Sequence, residues 1–430
     1  MQQSQRAHFN HALEYAIKRA NDINQPMLAV FGLTDDYPEA NARHYRFMLE
    51  GLADVSRSLD SRGIGFILKY GHPPNVALDY ARRASLVVCD RGYLRHQRQW
   101  RRQVAHTAQC EVVEVETDVV VPVESASNKA EIGARTLRPR IHRILPKFLL
   151  NLRPTPLVRD SLTLEEGSID LRDIDGILGR MNLDSRVPPV DLLRGGNSEA
   201  RKIFRHFKEH NLEGYAEHRN RPETDYVSRM GMYLHFGQIS PLYITLEILK
   251  AHNKLIGDCD SFIEELVVRR ELACNFVNFT SDYDRISCIP GWALASLDAH
   301  AKDKREYIYS SAQLEAARTH DPYWNASMLE MKHTGYMHNY MRMYWGKKIL
   351  EWSPSPRTAW RRALRFNNRY FLDGRDPNSY AGIAWIFGMH DRAWPDRKIF
   401  GKVRYMSASG LERKADPKAY VEKVERMVRG

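Results

Sequence analysis

Two stretches hold the residues with the most chemistry. The first, Met331–Trp352, carries Trp345 and Trp352 seven apart, together with Arg342 and Met343. The second, Phe366–Asn378, reads Phe-Asn-Asn-Arg-Tyr-Phe-Leu-Asp-Gly-Arg-Asp-Pro-Asn and leads on to Trp385, His390, Trp394 and Arg404. Tryptophan is a good one-electron donor, and spaced indoles permit short hops, so Trp345, Trp352 and the nearby Trp324 are candidates for electron transfer. Core packing accounts equally well for any one of them. Hydrolytic chemistry is not indicated. The chain has no G-x-S-x-G elbow, no P-loop and no H-E-x-x-H. His333 and His338 are five apart and do not share a helical face for a metal. The five cysteines are scattered without a C-x-x-C pair, so neither a disulfide framework nor a zinc site is expected.

The elements that position these residues follow from periodicity. Met337, Met341, Tyr344, Trp345 and Trp352 recur at helical spacing, which predicts one helix over 331–352. Asp373-Gly374 and Asp376-Pro377-Asn378 are turn chemistry and break the second stretch. Upstream, helices are predicted over 4–20, 42–60, 75–83 and 92–106. They alternate with short apolar strands at 27–33, 64–69, 85–89 and 111–116, the pattern of a doubly wound parallel sheet. No G-x-G-x-x-G follows any of these strands, so an ordinary dinucleotide fold is unsupported. Residues 118–197 are broken repeatedly by proline, with a basic, partly helical piece at 136–150. From Ser198 onward the composition is helical. Ser228 is placed to cap a helix start. A helix over 261–279 puts Glu265, Arg269, Leu272 and Phe276 on one face. There, Glu265 and Arg269 make at least a plain i,i+4 pair, worth roughly 0.2–0.5 kcal/mol.

The chain has 430 residues, 43% of them hydrophobic, and no apolar run long enough to span a membrane. Its start, Met1-Gln-Gln-Ser-Gln-Arg, is not a signal peptide. A formal net charge of +11 favours a polyanionic partner, because neutralising phosphates releases counterions. Aromatic residues make up 10%, and aromatics beside arginine are what a site for unstacked bases uses.

Thr334–Met343 resembles the flavin-pocket helix of the photolyase/cryptochrome family. Met341-Arg-Met-Tyr-Trp-Gly-Lys-Lys-Ile-Leu-Glu-Trp352, Leu372-Asp-Gly-Arg-Asp-Pro-Asn378 and Tyr233-Leu-His-Phe-Gly-Gln-Ile-Ser240 are similar to the class II cyclobutane pyrimidine dimer photolyases. The resemblance covers nearly the whole chain, with its motifs in order. It implies an α/β N-terminal domain over 1–117, an interdomain linker over 118–197 and an all-α FAD- and DNA-binding domain over 198–430. The family has one more strand before the position of Gln2, so the first strand is expected to be missing here.

The resemblance further implies FAD, active in its reduced form, held by Tyr215, Ser228, Arg229, Met230, Gly231, Asn339, Arg342, Asn367, Asp373 and Asp376, with Arg342 and Asp373 as a buried pair against the flavin, each removing the cost of the other's unpaired charge. The family's pyrophosphate motif is usually Thr-Ser-x-Leu-Ser. Here it reads Val227-Ser-Arg-Met-Gly231, so backbone donors would have to replace two hydroxyls. Trp345, Trp324 and Trp352 become the chain that reduces the flavin, with Tyr309 as an extension. Glu265, Met343 and Trp385 are expected against the extruded dimer, and Arg219, Asn220, Lys402 and Arg404 at the DNA. A second, antenna chromophore of deazaflavin or folate type is allowed by the resemblance but named by no motif. No metal is expected. The expected activity is that of a carbon–carbon lyase acting on UV-damaged DNA, in an intracellular monomer, cytoplasmic if the source is prokaryotic. The alternative is a cryptochrome-type blue-light receptor without repair. Against it stands the end of the chain at Gly430, with no disordered signalling tail. A DNA-binding protein that kept the fold without using light is a third reading.

Overall fold

The computed structural model describes residues 1–164 and 167–429. The chain forms two compact units: Met1–Ser125, Arg143–Arg205 and Arg229–Ala251 in the first, and Ala126–His142, His206–Ser228 and His252–Gly430 in the second. The connection over 118–197 is therefore shared, 126–142 going to the second unit and the rest to the first. Its Glu165 and Glu166 lie outside the described residues.

The first unit contains strands β1 (Ala29–Leu33), β2 (Phe66–Tyr70), β3 (Leu86–Asp90) and β4 (Glu111–Val115), each at its predicted place. They form two parallel pairs, β1 with β2 in the register Phe31↔Leu68 and β3 with β4 in the register Val88↔Val113. Helices α1 (His11–Asp22), α2 (Ala42–Asp60), α3 (Pro73–Ala81) and α4 (Arg95–Thr107) alternate with them. Leu49, Leu52, Val55 and Leu59 line one stripe of α2 and meet Phe31, Leu33, Phe66 and Leu68 in the core.

Residues 1–4 bridge the two strand pairs. The Met1 amine donates to the Val30 carbonyl at 2.9 Å, and the Gln2 side chain both donates to and accepts from the Gly32 backbone. Asp90, at the end of β3, accepts the backbone N–H groups of Gln2, Gln3 and Ser4 at 2.6–3.0 Å. Burial alone would raise its pKa. The terminal amine and the three N–H groups outweigh that and hold the carboxyl below its ordinary value. This bridge also corrects the helix expected over 4–20. The first residues are committed to Asp90, Arg6 is buried with its guanidinium on Asp118 at 2.6 Å, and α1 starts only after Asn10, whose side chain accepts from Leu13 N–H.

Among its described residues the second unit is helical. Its principal helices are α5 (Ala134–Ile144), α6 (Tyr215–His218), α7 (Ile256–Ile263), α8 (Arg270–Phe279), α9 (Pro322–Thr334), α10 (Asn339–Trp352), α11 (Pro356–Tyr370), α12 (Pro377–Ile386) and α13 (Pro417–Arg429). No helix in the described residues is long and apolar enough to cross a membrane.

Two predicted helices are interrupted. The one over 331–352 breaks at Gly335, which takes φ +69 and caps α9. A side chain there would meet Leu372 Cγ at 2.7 Å, and Leu372 N–H donates to the Gly335 carbonyl at 2.8 Å. His338 then opens α10, its Nδ1 accepting Tyr340 N–H at 3.2 Å. The helix over 261–279 contains a π-helical segment, Glu264–Arg269, between α7 and α8. Such a segment inserts a residue into the ladder and re-aims the side chains on it.

Candidate functional site

The loop between α11 and α12 meets the first turn of α10. Both Asp373 oxygens accept from Arg342 Nη2 at 3.0 and 3.1 Å. Arg342 Nε is held by the Met337 carbonyl, and its guanidinium lies 3.9 Å from the Phe371 ring centroid. The expected pair is thus formed, stacked and only partly exposed. Gly374 lets the loop turn back onto α11, since a Cβ there would meet the Asn367 carbonyl at 2.8 Å. Asn367 is buried on α11 and donates to Asn368 Oδ1 at 2.9 Å. Asp376 caps α12 by accepting Asn378 N–H at 2.8 Å. Asn339 is exposed at the start of α10.

Trp345, Trp324 and Trp352 come together in the core, each 2% exposed or less. The Trp324 indole N–H donates to the Trp345 carbonyl at 3.0 Å, and the Trp324 and Trp352 rings are 5.7 Å apart at their centroids. Trp345 lies 6.2 Å from Phe371, the same ring that carries Arg342. Beyond Trp352 stands Tyr309, at 5.4 Å. Ring contacts thus join Phe371 to Trp345 and Trp324 through Trp352 to Tyr309, and the Trp324 hydrogen bond to the Trp345 carbonyl links the two sets.

Trp385, on α12, is half-buried. Lys347 Nζ lies 4.6 Å from its ring centroid and the Arg404 guanidinium 5.8 Å. Lys347 is fully buried and donates to the Ile386 carbonyl at 2.5 Å, at the electronegative end of α12. The approach of α10 to α12 depends on Gly346, where a Cβ would meet Ile386 Cδ1 at 2.1 Å. Met343 is one turn before Lys347 on the same helical face and is half-buried. Arg404 grips Asp391 with two bonds, at 2.7 and 3.0 Å, and lies 4.3 Å from the Trp394 ring. Lys402 is exposed beside them. Cations interleaved with indoles in this way match a surface for single-stranded or extruded bases.

Glu265, on the π-helical segment, pairs with Arg219 at 2.8 Å, so a residue expected at the dimer and one expected at the DNA are joined. The i,i+4 pair of Glu265 with Arg269 is replaced. Arg269 instead bonds Glu264 at 2.9 Å, together with Arg138, because the π-helical segment moves Glu265 off the α-helical register. Arg219 also lies 5.6 Å from the ring of Tyr215. Burial chiefly pushes the Tyr215 phenol up to about 12. Asn220 is exposed. Of the stretch 226–231, Ser228 belongs to the second unit and Arg229, Met230 and Gly231 to the first. Met230, not Ser228, occupies the cap position of the short helix Gly231–His235, and Arg229 takes φ +56. The hydroxyl of Ser228 therefore does not mark where this helix starts.

Sequence reading missed three residues of the second unit. Lys347 carried only a surface signal, its charge. Arg375 is buried in the 371–376 loop with φ +66 and donates to the Asn368 carbonyl at 3.0 Å. His338 is 3% exposed, and its Nε2 has no partner among the described residues. Because Nδ1 accepts from the backbone, Nε2 carries the proton. Burial first, and then Lys423, Arg219 and Arg342, lower its pKa to about 4. The neutral ring therefore points an unused donor into the interior. Trp345 Nε1 is another such donor.

The DNA photolyase family model matches residues 1–159. The chain is 50% identical over 424 residues to the deoxyribodipyrimidine photo-lyase of Methanothermobacter thermautotrophicus, covering 99% of this chain and 93% of that one. It is 37% identical to the protein of that name from Potorous tridactylus, over 99% of this chain and 80% of the other. Among solved structures, a class III photolyase from Agrobacterium tumefaciens superposes with a TM-score of 0.74 at 18% identity, over 98% of this chain and 85% of that one. An archaeal photolyase from Sulfolobus tokodaii, solved with two FAD molecules, gives 0.73 at 15% identity, over 98% and 90%. The structural likenesses speak for the fold. The sequence identities, running the length of the chain, speak for descent, and the chain belongs to the DNA photolyase family.

Proposed function

We propose that the protein repairs cyclobutane pyrimidine dimers in DNA under light. The observation that carries this reading is the aromatic path from Phe371 and the Arg342–Asp373 pair through Trp345 and Trp324 to Trp352, in a chain half identical to a deoxyribodipyrimidine photo-lyase. The donor set of the second unit fits FAD: a cation paired with a carboxylate, the Asn367 carboxamide, and the buried N–H groups of His338 and Trp345 that lack a partner among the described residues. Bound FAD in its reduced form supplies the light-driven electron that splits the dimer and is afterwards returned. Arg342, Asn367, Asp373 and Asp376, with Asn339 and Tyr215, would hold it. Arg342 provides positive charge that favours an anionic form. Asn367 offers an amide, which bonds without readily giving up a proton.

Trp385 provides a face on which an extruded dimer stacks. A dimer is poorly stacked in the duplex and is therefore cheap to flip. Glu265, oriented by Arg219, and Met343 border that face in this reading, and Asn220, Lys402 and Arg404 contact the DNA backbone. Residues 1–117 form an antenna-type domain, 118–197 the linker and 198–430 the catalytic domain of an intracellular monomer.

The test is illumination of the purified protein, carrying about one FAD per chain, with an oligonucleotide containing one thymine dimer. Dimers should be restored in blue light and persist in the dark. Bound dimer that stays unrepaired in light, with the flavin fully reduced, would overturn repair and leave a receptor.

A binding prediction accompanies it. Trp385→Ala should weaken binding of dimer-containing DNA by about 1–3 kcal/mol, roughly 5- to 150-fold, and leave undamaged DNA nearly unaffected. Arg404→Ala should weaken both alike and flatten the salt dependence by about 0.9 in log K per log salt. Equal losses for damaged and undamaged DNA in Trp385→Ala would remove the stacking role.

A further inference from the structure

We propose that His320 is the proton acceptor that allows Tyr309 to serve as the outermost electron donor of the tryptophan path. The inference rests on the reading of Trp345, Trp324 and Trp352 as an electron path and adds to it a proton-coupled exit.

The geometry around Tyr309 is specific. Its hydroxyl oxygen lies 2.6 Å from His320 Nδ1, and it also accepts the His320 backbone N–H at 3.0 Å. With that donor already on the oxygen, the phenol's own proton is the one directed at Nδ1. The imidazole is therefore the tautomer with hydrogen on Nε2. The backbone holds the pair in place: Tyr309 N–H donates to the Trp352 carbonyl at 3.3 Å, and Arg362 Nη1 donates to the Tyr309 carbonyl at 2.9 Å. The Trp352 ring centroid is 5.4 Å from that of Tyr309 and 5.3 Å from that of His320. Tyr307, 39% exposed, stacks on His320 with centroids 3.8 Å apart and planes 20° apart. His320 is itself exposed, so its ring borders water.

This arrangement addresses a chemical difficulty. A phenol that loses an electron but keeps its proton becomes a very strong acid, so the electron leaves readily only if the proton leaves with it. The oxidant is an indole radical cation on Trp352, the state that inward electron donation along the path creates. Trp352 takes one electron from Tyr309 and returns to the neutral indole. The Tyr309 O–H bond breaks, and its proton passes to His320 Nδ1. Tyr309 is left as a neutral radical and His320 as an imidazolium, which releases its Nε2 proton to water. Charge and protons balance at each stage. Because the tyrosyl radical is neutral and its proton has gone to solvent, return of the electron from the interior is slowed.

Flash photolysis of the flavin-loaded protein tests this, with the tryptophan radical cation and the tyrosyl radical followed by their separate absorption bands. In the wild type the tyrosyl signal should grow as the tryptophan signal decays, about twofold or more slower in heavy water. His320→Phe keeps an aromatic ring against Tyr307 but removes the base. It should leave the tryptophan radical in place and slow tyrosyl formation at least tenfold. Tyr309→Phe should abolish the tyrosyl signal. A second readout needs neither light nor flavin: ¹⁵N NMR of histidine-labelled protein should show His320 Nδ1 as an unprotonated, hydrogen-bonded nitrogen. A tyrosyl radical that forms equally fast in His320→Phe, or a proton resident on Nδ1 in the dark, overturns the proposal and leaves the tryptophan path standing. Absence of any tryptophan radical in the wild type overturns both.

Discussion

Trp345→Phe should abolish photoreduction of the oxidised flavin, while protein already reduced chemically should repair dimers at close to the wild-type rate. Phenylalanine fills most of the indole's volume but is far harder to oxidise. Trp345 is nearly inaccessible and lies one ring, Phe371, from Arg342, which makes it the first hop in the proposed path. Its loss stops supply at the source. In the proposed reaction the borrowed electron is returned, so repair draws nothing from the path. Trp352→Phe, at the outer end, should slow photoreduction less completely, since Trp324 can still donate briefly inward. Bleaching of the oxidised flavin under blue light with a thiol present measures the first effect, and repair by dithionite-reduced protein the second. Normal bleaching in Trp345→Phe would show that electrons enter by another route.

Lys347→Met should raise stability by several kcal/mol at or below neutral pH. Among the described residues Lys347 has no carboxylate contact: its polar partners are the Ile386 carbonyl and the Trp385 ring. Burial is the main cause lowering its pKa to about 7, with Asp391 opposing and Arg404 adding to the fall. The ordinary value is 10.5. A tenfold change in proton affinity corresponds to about 1.4 kcal/mol, so the amine costs on the order of 3–5 kcal/mol when charged. The sign follows from proton uptake. Between about pH 7 and pH 10.5 the unfolded chain holds this proton and the folded chain does not, so wild-type stability rises with pH across that window. Methionine removes the contribution. The variant should exceed the wild type most below about pH 7 and converge on it toward about pH 10, as measured by urea unfolding at a series of pH values. A variant less stable than the wild type at about pH 6 would mean that the amine's contacts outweigh its desolvation. The same substitution removes the cation behind Trp385, so retaining this charge is a cost that stability alone does not explain.

Tyr309 and its neighbours illustrate how far residue type alone carries a reading. The spaced indoles of Trp324, Trp345 and Trp352 suggest electron transfer, but in the proposed exit the proton acceptor is a histidine whose neighbours in sequence say nothing of it. His320 meets Tyr309 because α9 starts where the 303–310 loop returns along the end of α10.

Periodicity was enough to order the layers. Short β-branched and apolar runs separated by helical patterns predict β1–β4 to within two residues, since strand and helix periods differ and the runs are too short for anything else. The Asp-Gly and Asp-Pro-Asn turns that carry Asp373 and Asp376 were also legible, because local backbone chemistry dictates them. Contacts between residues distant along the chain set the rest. Leu372 packed against Gly335 breaks a helix whose periodicity continues through the break. Asp90 takes the N–H groups of residues 2–4 and delays α1 to His11. The π-helical segment breaks the expected Glu265–Arg269 pairing, giving Glu265 to Arg219 and Arg269 to Glu264. Lys347, a surface residue by composition, is buried because Gly346 lets α10 settle onto α12 and an open carbonyl waits at that helix's end. Periodicity records which face of an element is apolar; what that face meets, and what charge is trapped there, is settled only when the elements pack.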